Sequence, residues 1–252
     1  MMTENLLLSI TMAIAAGLIG CFVVMRRMAL AADALSHVAL PGIGVALALH
    51  IHPVFGAMAM LFFGALLVWA VEGKAGVATE ALIGVLFCAA LAVGSMMMTS
   101  RQDLVEALFG GAGALAWPEI LFGLVAATLV VAFVVTQRGS LVVMLVSPDL
   151  ARTTGVNVQR LNLLYLQVFA LTIALGLRYL GVLLMGALII IPAATAKRLA
   201  RNLTGMLLTA VVVAMAATVT GTWLASRAHR ETGPVIVTVA ACIFLLSFLR
   251  RS

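Results

Sequence analysis

The sequence predicts an all-α, polytopic membrane bundle of about nine spans. Three observations carry that prediction. Of 252 residues, 64% are hydrophobic and only 10% are charged, against about 25% charge in a soluble globular domain. The mean hydropathy is +1.23. The apolar runs are long and show no alternation of period two, which favours helices over a barrel. One transmembrane domain, residues 1–252, accounts for the whole length.

The first span covers about 6–25. Arg26 and Arg27 close it on what reads as the cytoplasmic side, so the N-terminus is expected outside. This run is not a secretory signal in kind: Glu4 stands where Lys or Arg belongs, and the apolar stretch runs on to Met25. Leu18-Ile19-Gly20-Cys21 matches a lipoprotein cleavage box, but Phe22 to Met25 stay apolar after it, and the match reads as chance. The second span, 32–49, holds Asp33, His37 and Pro41, and Pro41 is expected to kink it. His50-Ile51-His52-Pro53 is an external turn. The third span, 54–71, returns to Glu72-Gly73-Lys74, and the fourth covers 79–98. Residues 100–117 are expected to form a short external or re-entrant helix. The fifth span, 118–136, leads to a polar cytoplasmic stretch, 137–162.

Within that stretch, 147–160 reads as a short surface helix, with a plain connector as the alternative that spacing alone slightly favours. Ser147 followed by Pro148 and Asp149 is an N-cap with proline in the first turn, and Gly155 is the stop. The sixth and seventh spans, 161–177 and 179–196, meet in a tight turn at Arg178. The eighth and ninth, 204–225 and 234–249, enclose an external loop with Arg227, His229, Arg230 and Glu231. An eight-span count requires two runs to merge or one to be re-entrant.

Charge placement sets the orientation. Arg26, Arg27, Lys74, Arg138, Arg152, Arg160, Lys197, Arg198, Arg201, Arg250 and Arg251 fall on the side read as cytoplasmic, and only Arg101, Arg178, Arg227 and Arg230 on the other. The bias puts the C-terminus inside. The formal charge of +6 therefore orients spans and does not point to nucleic acid. Cys21, Cys88 and Cys242 lie alone in apolar runs and form no metal or disulfide motif. Glycines within spans, such as Gly181 and Gly186, read as close helix packing.

The chemistry centres on RRMALAADALSHVALPG, residues 26–42. Asp33 and His37 are four apart and share one helix face. An acid at the bilayer centre costs about 2.5–3.5 kcal/mol on insertion scales, so it faces a cavity or a partner. A carboxylate with an imidazole is half of a transition-metal site; an internal hydrogen bond near the membrane edge is the plainer alternative. Other helices, water or a second copy must complete any such site. His50 and His52, and His229 with Glu231, flank external turns, as ordinary solvated side chains or as a mouth receiving the ion. A mixed nitrogen–oxygen set leans to Zn2+, then Mn2+, as transported ion, with no permanently bound cofactor.

No phosphate-binding loop is present: Gly73-Lys74 is followed by Ala75 and lacks the upstream glycine. The chain is accordingly read as no enzyme. Apart from Asp33, few charges lie within the spans. Energy would then come from a separate ATPase, with 147–160 as its docking surface. A stand-alone, proton-coupled secondary carrier is the alternative.

Three segments, RRMALAADALSHVALPGIGVALAL, SPDLARTTGV and GVLLMGALIIIPAATAKRLA, together resemble the zinc/manganese-type metal permeases of ABC importers, over about 6–251. The resemblance implies a type II ABC-importer permease in a bacterial inner membrane. It implies a homodimer, two cytoplasmic ABC ATPase subunits and an extracytoplasmic metal-binding protein. It further implies that Asp33 and His37 hold the ion, and that Pro148, Asp149, Leu150, Ala151, Arg152 and Gly155 belong to the element coupling the permease to the ATPase.

Overall fold

The computed structural model describes residues 2–72, 79–97, 117–180, 182–228 and 230–249. In chain order the helices are α1 (Met2–Met25), α2 (Ala29–His37), α3 (Ala39–Ala48), α4 (Pro53–Val71), α5 (Thr79–Met97), α6 (Trp117–Val146), α7 (Pro148–Thr153), α8 (Val158–Leu180), α9 (Val182–Leu199), α10 (Leu203–Ala228) and α11 (Thr232–Ser247). No strand occurs among the described residues. α1, α4, α6, α8 and α10 are each long and apolar enough to cross a bilayer.

α1 is the central post, packed by α6, α8, α9 and α10. Its small residues Ala13, Ala16, Gly17 and Gly20 let backbones approach closely. A Cβ on Gly20 would run into the carbonyl of Ile189 on α9. α3 and α4 form a second tight pair, in which Gly42 and Gly56 face each other so closely that a Cβ on either would strike the other's carbonyl.

Two elements differ from the sequence expectation. The second span is broken: α2 ends at His37, Val38 intervenes, and α3 begins at Ala39. Pro41 has no N–H to give to the carbonyl of His37, and its ring crowds the preceding turn, so the irregularity falls N-terminal to the proline. The fifth span does not stop at residue 136. α6 continues through Gln137, Arg138 and Gly139 to Val146, because Leu141–Val146 is again apolar, no proline stands between residue 136 and Pro148, and a single glycine costs only about 1 kcal/mol in a helix interior. The expected helix over 100–117 lies outside the described residues, except Trp117, which opens α6.

Three turns end in left-handed residues: Arg27 (φ 61), His50 (φ 56) and Gly155 (φ 83). Each closes its helix with a backward pair of amide bonds. At Arg27, its own N–H reaches the Val24 carbonyl at 3.2 Å, and Met28 N–H reaches Val23 at 3.0 Å.

Side-chain contacts identify which ends lie together. At one end, Arg26 meets Glu72 and Asn162. At the other, His52 Nε2 lies 3.2 Å from Glu119 Oε1. The residues just after α1, at the end of α4 and at the start of α8 therefore share one side of the bundle, and the starts of α4 and α6 the other.

Candidate functional site

Asp33 and His37 sit on successive turns of α2, wedged between α5 and α9. The His37 imidazole is 7% exposed. The edge of one ring meets the face of the other where it contacts Phe87 of α5, at 5.2 Å between centroids and 64° between planes. Its Nδ1 is fully buried and has no hydrogen-bond partner among the described residues. A buried polar atom left so costs about 1–3 kcal/mol. It is an available nitrogen donor held in place by apolar packing.

Asp33 is solvent-exposed on the isolated chain, although it lies in a helix whose neighbours Leu35, Ser36 and His37 are buried. Its backbone and carboxylate pass close to Gly186 of α9. Ser36 turns away from the pair and donates from Oγ to the Asp33 carbonyl at 2.6 Å. The arrangement is one carboxylate on an open face and one imidazole behind it, both from one short helix. It can hold a divalent ion in part. No group of three or more His, Cys, Asp or Glu side chains suited to a metal occurs among the described residues.

Among the described residues, the outer candidates His50, His52 and Glu231 form no metal-suited group with this pair. His50 and His52 lie past the far end of α3, with the whole of that helix between them and His37. His50 is exposed and forms the left-handed stop. His52 pairs with Glu119, a residue the sequence reading did not single out. Glu231 is exposed and precedes α11 without a side-chain cap bond; His229 lies outside the described residues.

The surface helix forms with the expected local chemistry. Ser147 Oγ accepts from Leu150 N–H at 3.2 Å, Pro148 opens α7, and Gly155 closes it. Asp149 and Arg152 pair at 3.0 Å, Leu150 is exposed, and Ala151 is fully buried. α7 thus rests one small residue against α6 and α8 and turns its polar residues outward.

Sequence reasoning also missed a polar cluster beside α7. Arg26 donates from Nη1 to Asn162 Oδ1 (2.6 Å) and from Nη2 to Glu72 Oε1 (2.7 Å), and Asn162 Nδ2 donates to Glu72 Oε2 (2.8 Å). Its signal was only that each residue is polar and near a span end.

Comparison with known proteins gives a consistent result. The chain is 30% identical over 251 residues to the high-affinity zinc uptake system membrane protein ZnuB of Haemophilus influenzae, covering 98% of this chain and 96% of that protein. It is 29% identical to the manganese transport system membrane protein MntC of Listeria innocua, covering 98% and 89%. Its fold matches PsaBC from Streptococcus pneumoniae, solved in complex with Fab, with a TM-score of 0.85, 26% identity, and coverage of 98% and 90%. The model of the ABC 3 transport family matches residues 1–251, and the chain belongs to that family.

Proposed function

We propose that this chain is the membrane-spanning permease subunit of an ATP-driven importer for a divalent transition metal, with Asp33 and His37 as its transport ligands. The observation that carries the ligand assignment is the buried, unpartnered Nδ1 of His37 one helical turn from an exposed carboxylate. The relatives transport zinc or manganese by name. A nitrogen–oxygen ligand set favours zinc, with manganese next.

In this reading the Arg26 end is cytoplasmic, the N-terminus lies outside and the C-terminus inside a bacterial inner membrane, following the Lys and Arg bias. An external metal-binding protein docks near His50, His52, His229 and Glu231 and releases the ion. Asp33, open on the single chain, faces a second copy across a two-fold axis, and the two copies with water complete the site. Such an incomplete cage binds loosely enough to let go. ATPase subunits grip the α7 surface, with Pro148 to Arg152 and Gly155 forming the contact. Their closure on ATP moves the inner ends of the helices and opens the ion's way to the cytoplasm.

The test is metal uptake by the chain reconstituted with its ATPase and binding protein, for wild type, Asp33→Ala and His37→Ala, with zinc and manganese in parallel. ATP-dependent flux lost in both assembled variants supports the reading and names the ion. Undiminished flux in both returns the pair to a structural role. Uptake without any ATPase favours the secondary carrier.

A further inference from the structure

Arg26, Glu72 and Asn162 form a closed triangle in which every pair is hydrogen-bonded, at 2.6 to 2.8 Å. The three residues come from just beyond α1, from just beyond α4 and from the second turn of α8. The Arg26 and Glu72 side chains are 18% and 20% exposed, so these charge-assisted bonds are partly shielded from water. The guanidinium also lies 5.4 Å from the ring centre of Tyr165, itself fully buried. A second tie, Trp69 Nε1 to the Gln159 carbonyl at 3.0 Å, joins α4 to α8 beside the triangle.

The triangle stands between two functional elements. On one side Arg26 leads directly into α2: the left-handed stop at Arg27 fixes the turn, and Asp33 follows seven residues after Arg26. On the other side α8 begins just after α7. A cavity of about 780 Å³ lies there, walled by Arg26, Glu72 and Asn162 and by Pro148 and Arg152 of the α7 segment. The cavity gives the α7–α8 junction room to shift. Polar contacts at partial exposure can open and re-form, unlike the interlocked Gly42 and Gly56 of α3 and α4, so the triangle is suited to two arrangements.

We propose that Arg26, Glu72 and Asn162 are positioning residues that relay movement of α7 to the metal-bearing helix α2. The proposal rests on the transport reading above. A displacement of the α7–α8 junction acts on Asn162, Asn162 acts on Arg26, and Arg26 re-aims α2 through a turn too short and too fixed to absorb the change.

The experiment uses the full complex in proteoliposomes, with zinc uptake and phosphate release measured on the same sample. Asn162→Ala removes two sides of the triangle and leaves the Arg26–Glu72 pair. Glu72→Gln removes the charge, and the exchange Arg26→Glu with Glu72→Arg restores a pair in reverse. In Asn162→Ala and Glu72→Gln, ATP hydrolysis is expected to stay within about twofold of wild type while zinc moved per ATP falls about five- to tenfold, the size of a typical coupling between sites. The exchange is expected to regain part of what either single change loses. If uptake and hydrolysis fall in parallel in Asn162→Ala, the triangle is a structural brace and the relay is overturned. An unchanged ratio overturns it as well. Should Glu72→Gln fail to assemble, Asn162→Ala and the exchange still decide. Asp33→Ala serves as control: full transport there with an uncoupled Asn162→Ala removes the ligand assignment alone, and lost transport there with an unchanged ratio in Asn162→Ala removes the relay alone.

Discussion

Asp33 packs directly on the bare backbone of Gly186: a Cβ added to the glycine would stand 3.0 Å from the Asp33 Cα and 3.1 Å from its Oδ1. That clearance sets where the carboxylate lies. Gly186→Ala is expected to push α2 from α9 by a few tenths of an ångström, destabilising the chain by about 1–3 kcal/mol as overpacked sites do. The zinc concentration for half-maximal uptake should rise several-fold in proteoliposomes. Unchanged uptake at unchanged thermal stability would show that the carboxylate has slack.

Phe87 meets the His37 ring edge-on. Such a contact contributes about 0.5–1.5 kcal/mol beyond the area it buries, and here it also fixes the imidazole's direction. Phe87→Ala should weaken zinc uptake at low concentration more than at saturation, with expression of the protein preserved. Phe87→Tyr should keep the ring contact and most of the uptake. Equal loss at all concentrations would point to folding and not to ligand orientation.

Arg27 holds φ 61, a conformation that costs an L-residue other than glycine about 1 kcal/mol or more. Arg27→Gly is therefore expected to raise the unfolding temperature in detergent by a few degrees. His50→Gly, at φ 56, should act in the same direction. A lower unfolding temperature in Arg27→Gly would mean that the arginine side chain contributes more than its backbone costs.

The first turn of α7 depends on the Ser147 cap. Ser147→Ala should cost about 1 kcal/mol locally, and Ser147→Asp should retain the bond. Amide hydrogen exchange at Leu150 to Thr153 checks this: faster exchange in Ser147→Ala and near-normal exchange in Ser147→Asp is the expected result.

The spans and the Asp33–His37 pair were readable because polar residues inside apolar runs are conspicuous, and because helix caps are local. Ser147 and Pro148 act within the first turn of α7 and Gly155 just beyond its end, so the helix ends are local signals, although spacing alone also fitted a plain connector. The remainder depends on residues far apart in the chain. Arg26 and Asn162 are 136 positions apart, Arg26 and Glu72 are 46 apart, and nothing local links His52 to Glu119. Gly186 was recognisable as a packing residue, but its partner was not. The extension of α6 past Arg138 was missed, while the kink expected from Pro41 falls as a break at Val38, one turn N-terminal to the proline. A proline disturbs the turn before it, and a polar pair does not stop a helix that resumes an apolar face four residues later.

The shortness of α2 has an electrical consequence. In the proposed orientation, which puts the Arg26 end in the cytoplasm, Asp33 and His37 would lie about 6–12 Å above the start of that helix at 1.5 Å per residue. In a hydrocarbon layer of about 30 Å, an ion arriving from the outer face has crossed roughly two thirds of the thickness before it meets them. In a uniform field, a potential of about 100 mV, negative inside, would then favour loading of a divalent cation by about 3 kcal/mol. Membrane voltage itself would fill the site from outside and oppose backflow, leaving ATP to govern release.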